Sequence, residues 1–287
     1  MMDKLLKCLI YDGELSVSVI KNTDMVNEAV RIHNLSPVCT AALGRTLTVC
    51  TFMSSGLKSD KDKLSITVSG DGKGGKITVC GNGKLQIRGS IDNPNVDLPL
   101  KPNGKLDVSG VVGKNGRITV IRSMGLKDPY SGSSELVSGE IAEDFTAYYF
   151  FSEQQPTAMA LGVKVGVDGK VIGSGGVIVQ ALPGAKEENL IKAEEIVKGL
   201  TNISTILEEK DAEEVLKECF GEVEYQTYYP KYECLCTREY VSGILISLGE
   251  DELRDIIEKE GSIKVDCQFC DKKYIFTKED VDILFNK

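Results

Sequence analysis

Apolar and polar residues alternate with a two-residue period through much of residues 1–180, in short runs separated by Gly-containing turns. Leu64-Ser65-Ile66-Thr67-Val68, Lys76-Ile77-Thr78-Val79-Cys80 and Lys84-Leu85-Gln86-Ile87-Arg88 predict a three-stranded meander. Its pairing should be antiparallel, because the connections are too short for a parallel crossover. Asp12-Gly13, Asn82-Gly83, Asn115-Gly116 and Asp168-Gly169 each stand between such runs and predict tight hairpins. Two stretches break the period. Ser36-Pro37 has the form of an N-cap followed by Pro at the first helical position, and it opens a largely uncharged segment through Phe52 that should be a buried helix. Glu140 to Ser152 predicts another, ended by Pro156. Helices inserted among hairpins, without regular strand–helix alternation, define an α+β domain over 1–180.

Leu182-Pro183-Gly184 ends that pattern, and 181–230 reads as a helical linker. Leu190, Ile191, Glu194, Val197, Leu200 and Ile203 fall near a 3.6-residue period and predict one helix, with Glu187 and Glu188 in its first turn. In a second helix, Asp211 and Glu214 form a capping pair, Ala212, Val215, Leu216 and Cys219 share a face, and Gly221 suits the end. Each stripe must be buried against something. The final segment, 231–287, reads as a small α+β domain. It has a helix over Glu250 to Lys259, a strand at Lys273-Tyr274-Ile275-Phe276, and a last helix capped by Thr277 and Asp280 and carrying Val281 and Leu284.

Composition, 41% hydrophobic and 27% charged over 287 residues, is that of a globular chain. Its net charge of −9 is unevenly spread: 1–184 carries 20 basic and 18 acidic side chains, 185–230 carries 5 and 12, and 231–287 carries 9 and 13. An acidic C-terminal third disfavours nucleic acid as its partner, and the 185–230 excess reads as a solvated helical surface. The longest uncharged stretch, Val171 to Ala185, has 15 residues, short of the roughly 20 that span a bilayer. With charges on both sides of Leu5-Leu6 and no apolar run before a cleavage site, the start predicts no signal peptide and a cytoplasmic chain. Gly70 to Gly75 matches G-x-G-x-x-G, but Ile77 then opens a strand where a phosphate loop needs a helix, so a flexible hairpin turn is expected. His33 is the sole histidine and is assigned no role. Nothing resembles a catalytic constellation, and the chain is read as no enzyme.

The nine cysteines change the picture. In a chain without secretion signals they point to metal or redox chemistry rather than to a disulfide framework. Cys234-Leu235-Cys236 and Cys267-Gln268-Phe269-Cys270, thirty residues apart, supply four thiolates in two close pairs, the donor set of tetrahedral zinc. A domain this small needs such a staple. Either pair can also close on itself: Cα atoms two residues apart are within about 7 Å, and a disulfide needs roughly 4.4 to 6.8 Å. Zinc and oxidant therefore compete for the same sulfurs. Structural zinc contributes on the order of 10 to 16 kcal/mol of folding free energy, so oxidation of its ligands should unfold the module. Spacing alone leaves open a zinc-ribbon interaction module, against which the acidic charge argues, and a disulfide oxidoreductase built on Cys267 and Cys270, which lacks a βαβ context. Cys8, Cys39, Cys50, Cys80 and Cys219 read as small buried apolar residues.

The C-terminal Cys-x-Cys, thirty residues, Cys-x-x-Cys arrangement resembles the redox-regulated holdase chaperones of the thirty-three-kilodalton heat-shock protein family. The resemblance extends over the whole chain through Glu135-Leu136-Val137-Ser138-Gly139-Glu140-Ile141-Ala142-Glu143-Asp144-Phe145, Ser152-Glu153-Gln154-Gln155-Pro156, Gly175-Gly176 and Gln180-Ala181-Leu182-Pro183-Gly184. It implies that Cys234, Cys236, Cys267 and Cys270 hold one zinc in the reduced chain and that the linker is then docked on the N-terminal domain. Strong oxidants, aided by heat, are implied to form the Cys234–Cys236 and Cys267–Cys270 disulfides, release zinc and unfold module and linker. The exposed surface then binds unfolding clients without ATP, for later transfer to ATP-dependent foldases, and the active form is a homodimer.

Overall fold

In the computed structural model, which describes residues 2–125 and 127–285, the chain divides into two compact units, Met1–Glu233 and Cys234–Lys287. The first unit opens with β1 (Lys4–Ile10), β2 (Leu15–Lys21), α1 (Thr23–His33) and α2 (Pro37–Ser54). There follow β3 (Lys63–Gly70), β4 (Ile77–Asn82), β5 (Gln86–Ile91), α3 (Val108–Val112), β6 (Gly116–Ser123), β7 (Tyr130–Glu135) and α4 (Ala142–Tyr148). After a π-helical turn at Tyr149–Glu153 come β8 (Thr157–Val165), β9 (Val171–Ala181), α5 (Glu187–Gly199), α6 (Ile203–Glu209), α7 (Ala212–Phe220), β10 (Tyr225–Tyr228) and β11 (Lys231–Tyr232).

Two sheets result, ordered β10-β1-β2-β9-β8 and β11-β5-β4-β3-β6-β7. The expected meander is β3-β4-β5, antiparallel throughout. Helix α2 lies in the main core with side chains from both sheets, which explains its apolar sequence: it is buried on nearly every side. Ser36 caps it by accepting a hydrogen bond from the Cys39 N–H. The one charge in its middle, Arg45, donates to Glu140 at 2.9 Å. A Cβ on Gly44 would stand 2.8 Å from Val163, so the close approach of α2 to β8 requires glycine there.

Strand alternation sends the two faces of the first sheet into different cores. Leu5, Ile20 and Ile178 join α1 and α2, whereas Leu6, Cys8, Val17, Val19, Val177 and Val179 meet Ala193, Val197, Ile203, Leu207, Val215 and Leu216 of α5, α6 and α7. The apolar stripes of the helical segment are thus buried on the sheet of the same unit.

The structure corrects four sequence expectations. The helix through Leu200 and Ile203 is two helices, α5 and α6, because the chain turns at Leu200 (φ −85°, ψ 40°) while the apolar period continues across the break. Asn115-Gly116 is no hairpin; it leads from α3 into β6. The helix expected over Glu140 to Ser152 starts at Ala142 and ends as a π-turn. Gly70–Gly75 is a turn between β3 and β4 but is held against α3: the N–H groups of Gly72 and Gly74 donate to the Val112 and Val111 carbonyls at 3.1 and 2.8 Å. The Leu136–Asp144 motif is a structural loop in which the buried Asp144 carboxylate accepts the N–H groups of Val137, Ser138, Gly139 and Ile141 at 2.8 to 3.1 Å.

The second unit contains α8 (Arg238–Leu248), α9 (Glu250–Glu260), β12 (Ile263–Asp266), β13 (Lys273–Phe276) and α10 (Lys278–Phe285). Strands β12 and β13 form an antiparallel hairpin. The fold of the whole chain is α+β, with ten α-helices among the described residues, none of them long and apolar enough to cross a membrane.

Candidate metal centre

Cys234 and Cys236 lie on the segment entering α8, and Cys267 and Cys270 on the turn that joins β12 to β13. Two local interactions set these positions. Thr237 ends the first pair by capping α8, its hydroxyl accepting from the Tyr240 N–H at 3.1 Å. The Cys267 N–H donates to the Lys272 carbonyl at 3.1 Å, folding the second pair into a tight turn. Arg238 joins the two halves: its guanidinium lies 4.2 Å from the centroid of the Phe276 ring, donates to the Ile275 carbonyl and pairs with Asp280 at 2.8 Å.

All four sulfurs come together. The Cys234 and Cys267 Sγ atoms are 3.6 Å apart, those of Cys236 and Cys270 are 3.3 Å apart, and the set lies within 4.8 Å of one another. A tetrahedron with metal–sulfur bonds of about 2.3 Å has edges of roughly 3.8 Å. Both the donor chemistry and the spacing therefore suit a single tetrahedral metal ion. This is the one group of three or more His, Cys, Asp or Glu among the described residues that could hold a metal.

Electrostatics at the cluster point the same way. Burial is the largest influence on Cys234, Cys236 and Cys270 and pushes Cys234 and Cys270 up, Cys270 to about 11. At Cys236 burial is outweighed by hydrogen bonds from the Tyr274 hydroxyl and from the other three thiols, which hold it down to about 7. Cys236 is thus the thiol whose ionised form its neighbours favour, and a cation bound among the four sulfurs would favour ionisation of the others. Tyr274, which sequence reading placed on a strand without a role, donates its hydroxyl to the Cys236 carbonyl at 2.9 Å and to its sulfur at 3.4 Å. Its period-two position on β13, four residues after Cys270, was the available signal.

The apolar core of this unit is small: Val241, Leu245, Leu253, Ile263, Phe276 and Val281 are its buried members. The other cysteines lie apart from the cluster in the first unit, with Cys8, Cys39 and Cys50 buried and Cys80 and Cys219 partly so. Desolvation raises the thiol pKa of Cys8, Cys39, Cys50 and Cys219. His33, also in the first unit, sits 2.9 Å from the Gly89 carbonyl and 3.3 Å from the Tyr232 hydroxyl.

An α+β body followed by a compact four-thiol module defines the class to which the chain is compared. Residues 3–277 match the sequence pattern of the family described as "Hsp33 protein", and the chain belongs to that family. It is 40% identical over 291 residues to the "33 kDa chaperonin" of Caldanaerobacter subterraneus subsp. tengcongensis, covering 100% of this chain and 99% of that one. With the protein of the same name from Bacillus subtilis it shares 38% over 284 residues, or 98% and 97% of the two chains. The crystal structure of the 33 kDa chaperonin (heat shock protein 33 homolog) from Thermotoga maritima superposes with a TM-score of 0.89 at 34% identity, covering 99% of this chain and 98% of that one.

Proposed function

We propose that the chain is a redox-regulated, ATP-independent holdase of the cytoplasm, whose switch is the Cys234, Cys236, Cys267 and Cys270 cluster. The observation that carries this reading is the convergence of four thiols in a unit whose own apolar core is small. Zinc is the proposed metal, since a site of four thiolates suits it; when bound it supplies positive charge for the thiolates and a cross-link between the two ends of the module.

The rest is chemistry of this chain's own sulfurs. While reduced, Cys234 and Cys236 are tied to Cys267 and Cys270 through the centre, and α8, α9 and α10 are held around the β12–β13 hairpin. Oxidation withdraws two electrons from each pair and forms the Cys234–Cys236 and Cys267–Cys270 disulfides. The sulfurs are then no longer metal donors, and the module loses on the order of 10 kcal/mol of folding free energy, comparable to the whole stability of a small domain. In this reading residues 1–180 are a core domain, 181–230 a linker that detaches and 231–287 the switch. Unfolding clients are the partners. They pass to ATP-dependent foldases when reducing conditions return, and the active form is a homodimer.

The test compares the full chain, reduced and zinc-loaded, with the same chain after hypochlorous acid. Light scattering of a thermally unfolding client should be suppressed by the oxidised form only. Equal suppression by both forms would contradict the switch.

A further inference from the structure

Residues 225–233 close two sheet edges at once. Strand β10 lies antiparallel on β1, pairing Leu5, Leu6, Lys7 and Cys8 with Tyr228, Thr227, Gln226 and Tyr225. Three residues later β11 lies parallel on β5, pairing Lys231 with Gln86 and Tyr232 with Ile87. Pro230, which has no N–H to give, separates the two. Each is the outermost strand of its sheet, so one short segment passes from the edge of the first sheet to the edge of the second.

We propose that these edges, β1 and β5, are where the oxidised chain takes extended segments of unfolding proteins by strand addition, with residues 225–233 as the plug that occupies them at rest. The proposal rests on the holdase reading above and names its binding surface.

Four observations support it. First, the plug is itself an extended peptide on both edges, antiparallel on β1 and parallel on β5, so each edge accepts one. Second, its pairing is short. β11 pairs over two residues, with the Lys231 and Glu233 N–H groups donating to the Leu85 and Ile87 carbonyls at 3.0 and 2.9 Å, and the Tyr232 hydroxyl contacts Gly89 and His33. β10 pairs over four residues, of which Tyr225 and Gln226 are exposed, so the side-chain anchors of the segment are Tyr228 and Tyr232, partly buried against the main core. Third, Glu233 is followed directly by Cys234, so unfolding of the metal module removes the plug's C-terminal tether. Fourth, β1 is longer than its cover. Pairing stops at Cys8, and Leu9 beyond it is 57% exposed.

Strand addition also fits the partner's chemistry. It reads the main chain, which every unfolded protein offers, and leaves side-chain demands loose. A folded protein has few free edges and is passed over.

The test uses hydrogen exchange on the full chain, with reduced, carboxymethylated α-lactalbumin as a permanently unfolded probe. Oxidation should speed exchange at least tenfold at the β1 amides bonded to β10 and at Lys231 and Glu233. Saturating probe should slow the β1 and β5 amides again at least fivefold, while 225–233 stays unprotected. Probe that binds, by fluorescence anisotropy, without restoring protection to β1 or β5 would overturn the inference and leave the holdase reading standing. Absence of any probe binding would overturn both. Leu9→Lys, which puts a charge on the uncovered stretch of edge, should weaken probe binding to the oxidised chain at least fivefold without lowering the reduced chain's melting temperature. Unchanged affinity would count against β1.

Discussion

The Cys236 sulfur lies 3.3 Å from that of Cys270, thirty-four positions along the chain, and Cys234 approaches Cys267 in the same way at 3.6 Å. The fold therefore interleaves the two cysteine pairs. Disulfides within each pair are favoured once the module opens, because closing a three- or four-residue loop rather than one of thirty-four costs about 2 kcal/mol less chain entropy. Peptide mapping of the fully oxidised chain should find Cys234–Cys236 and Cys267–Cys270. Mainly crossed pairs would mean that the sulfurs oxidise inside a folded module.

Cys270→Ser removes one of four donors and should lower zinc affinity at least a hundredfold, read by competition with a colorimetric chelator. With only a small core beneath it, the second unit should then lose the exchange protection of α8, α9 and α10, while β2, β9 and α2 keep theirs. Retention of full affinity would contradict the four-ligand assignment.

Tyr274→Phe deletes the hydroxyl that donates to the Cys236 sulfur and carbonyl and leaves the ring in place. Outer partners of this kind are typically worth about tenfold in metal affinity. The variant should fold with zinc and bind it roughly tenfold more weakly; an unchanged affinity would show that the hydroxyl does not tune the sulfur.

Asp3 predicts a pH dependence of the first unit. Its carboxylate accepts the Asp24 and Met25 N–H groups at the start of α1 at 2.9 and 2.7 Å, but burial dominates and raises it from 3.8 to about 7. A carboxyl raised on folding contributes stability that is complete below the unfolded value and is lost as pH rises through the folded one. The shift corresponds to on the order of 4 kcal/mol between pH 4 and pH 7. Urea melts of the wild type and Asp3→Asn from pH 5 to 8 should differ in slope, the variant losing less stability with rising pH. Parallel curves would place the Asp3 carboxyl near its ordinary pKa.

Much of this was legible in the sequence, for a physical reason: its signals are local. The Ser36-Pro37 start of α2, the β3-β4-β5 meander, the Thr277–Asp280 cap of α10 and the two close cysteine pairs each depend on residues within a few places of one another. Other features depend on distant partners. Helix α8 was missed because Ile244-Leu245-Ile246 reads equally well as a strand, and packing of Val241 and Leu245 on the module core decides it. Strands β10 and β11 are short, and their partners stand more than 140 positions earlier. The break between α5 and α6 leaves no mark in the apolar period, since Ile203 is buried on the same sheet face as Val197.

The central claim is that metal loss from the cysteine cluster and gain of client binding are one event. Zinc release, followed with a colorimetric chelator, and suppression of client aggregation should be recorded in the same sample during treatment with peroxide at elevated temperature. The account predicts one zinc released per chain, with activity rising as release proceeds. Full release with no gain in holdase activity would contradict it.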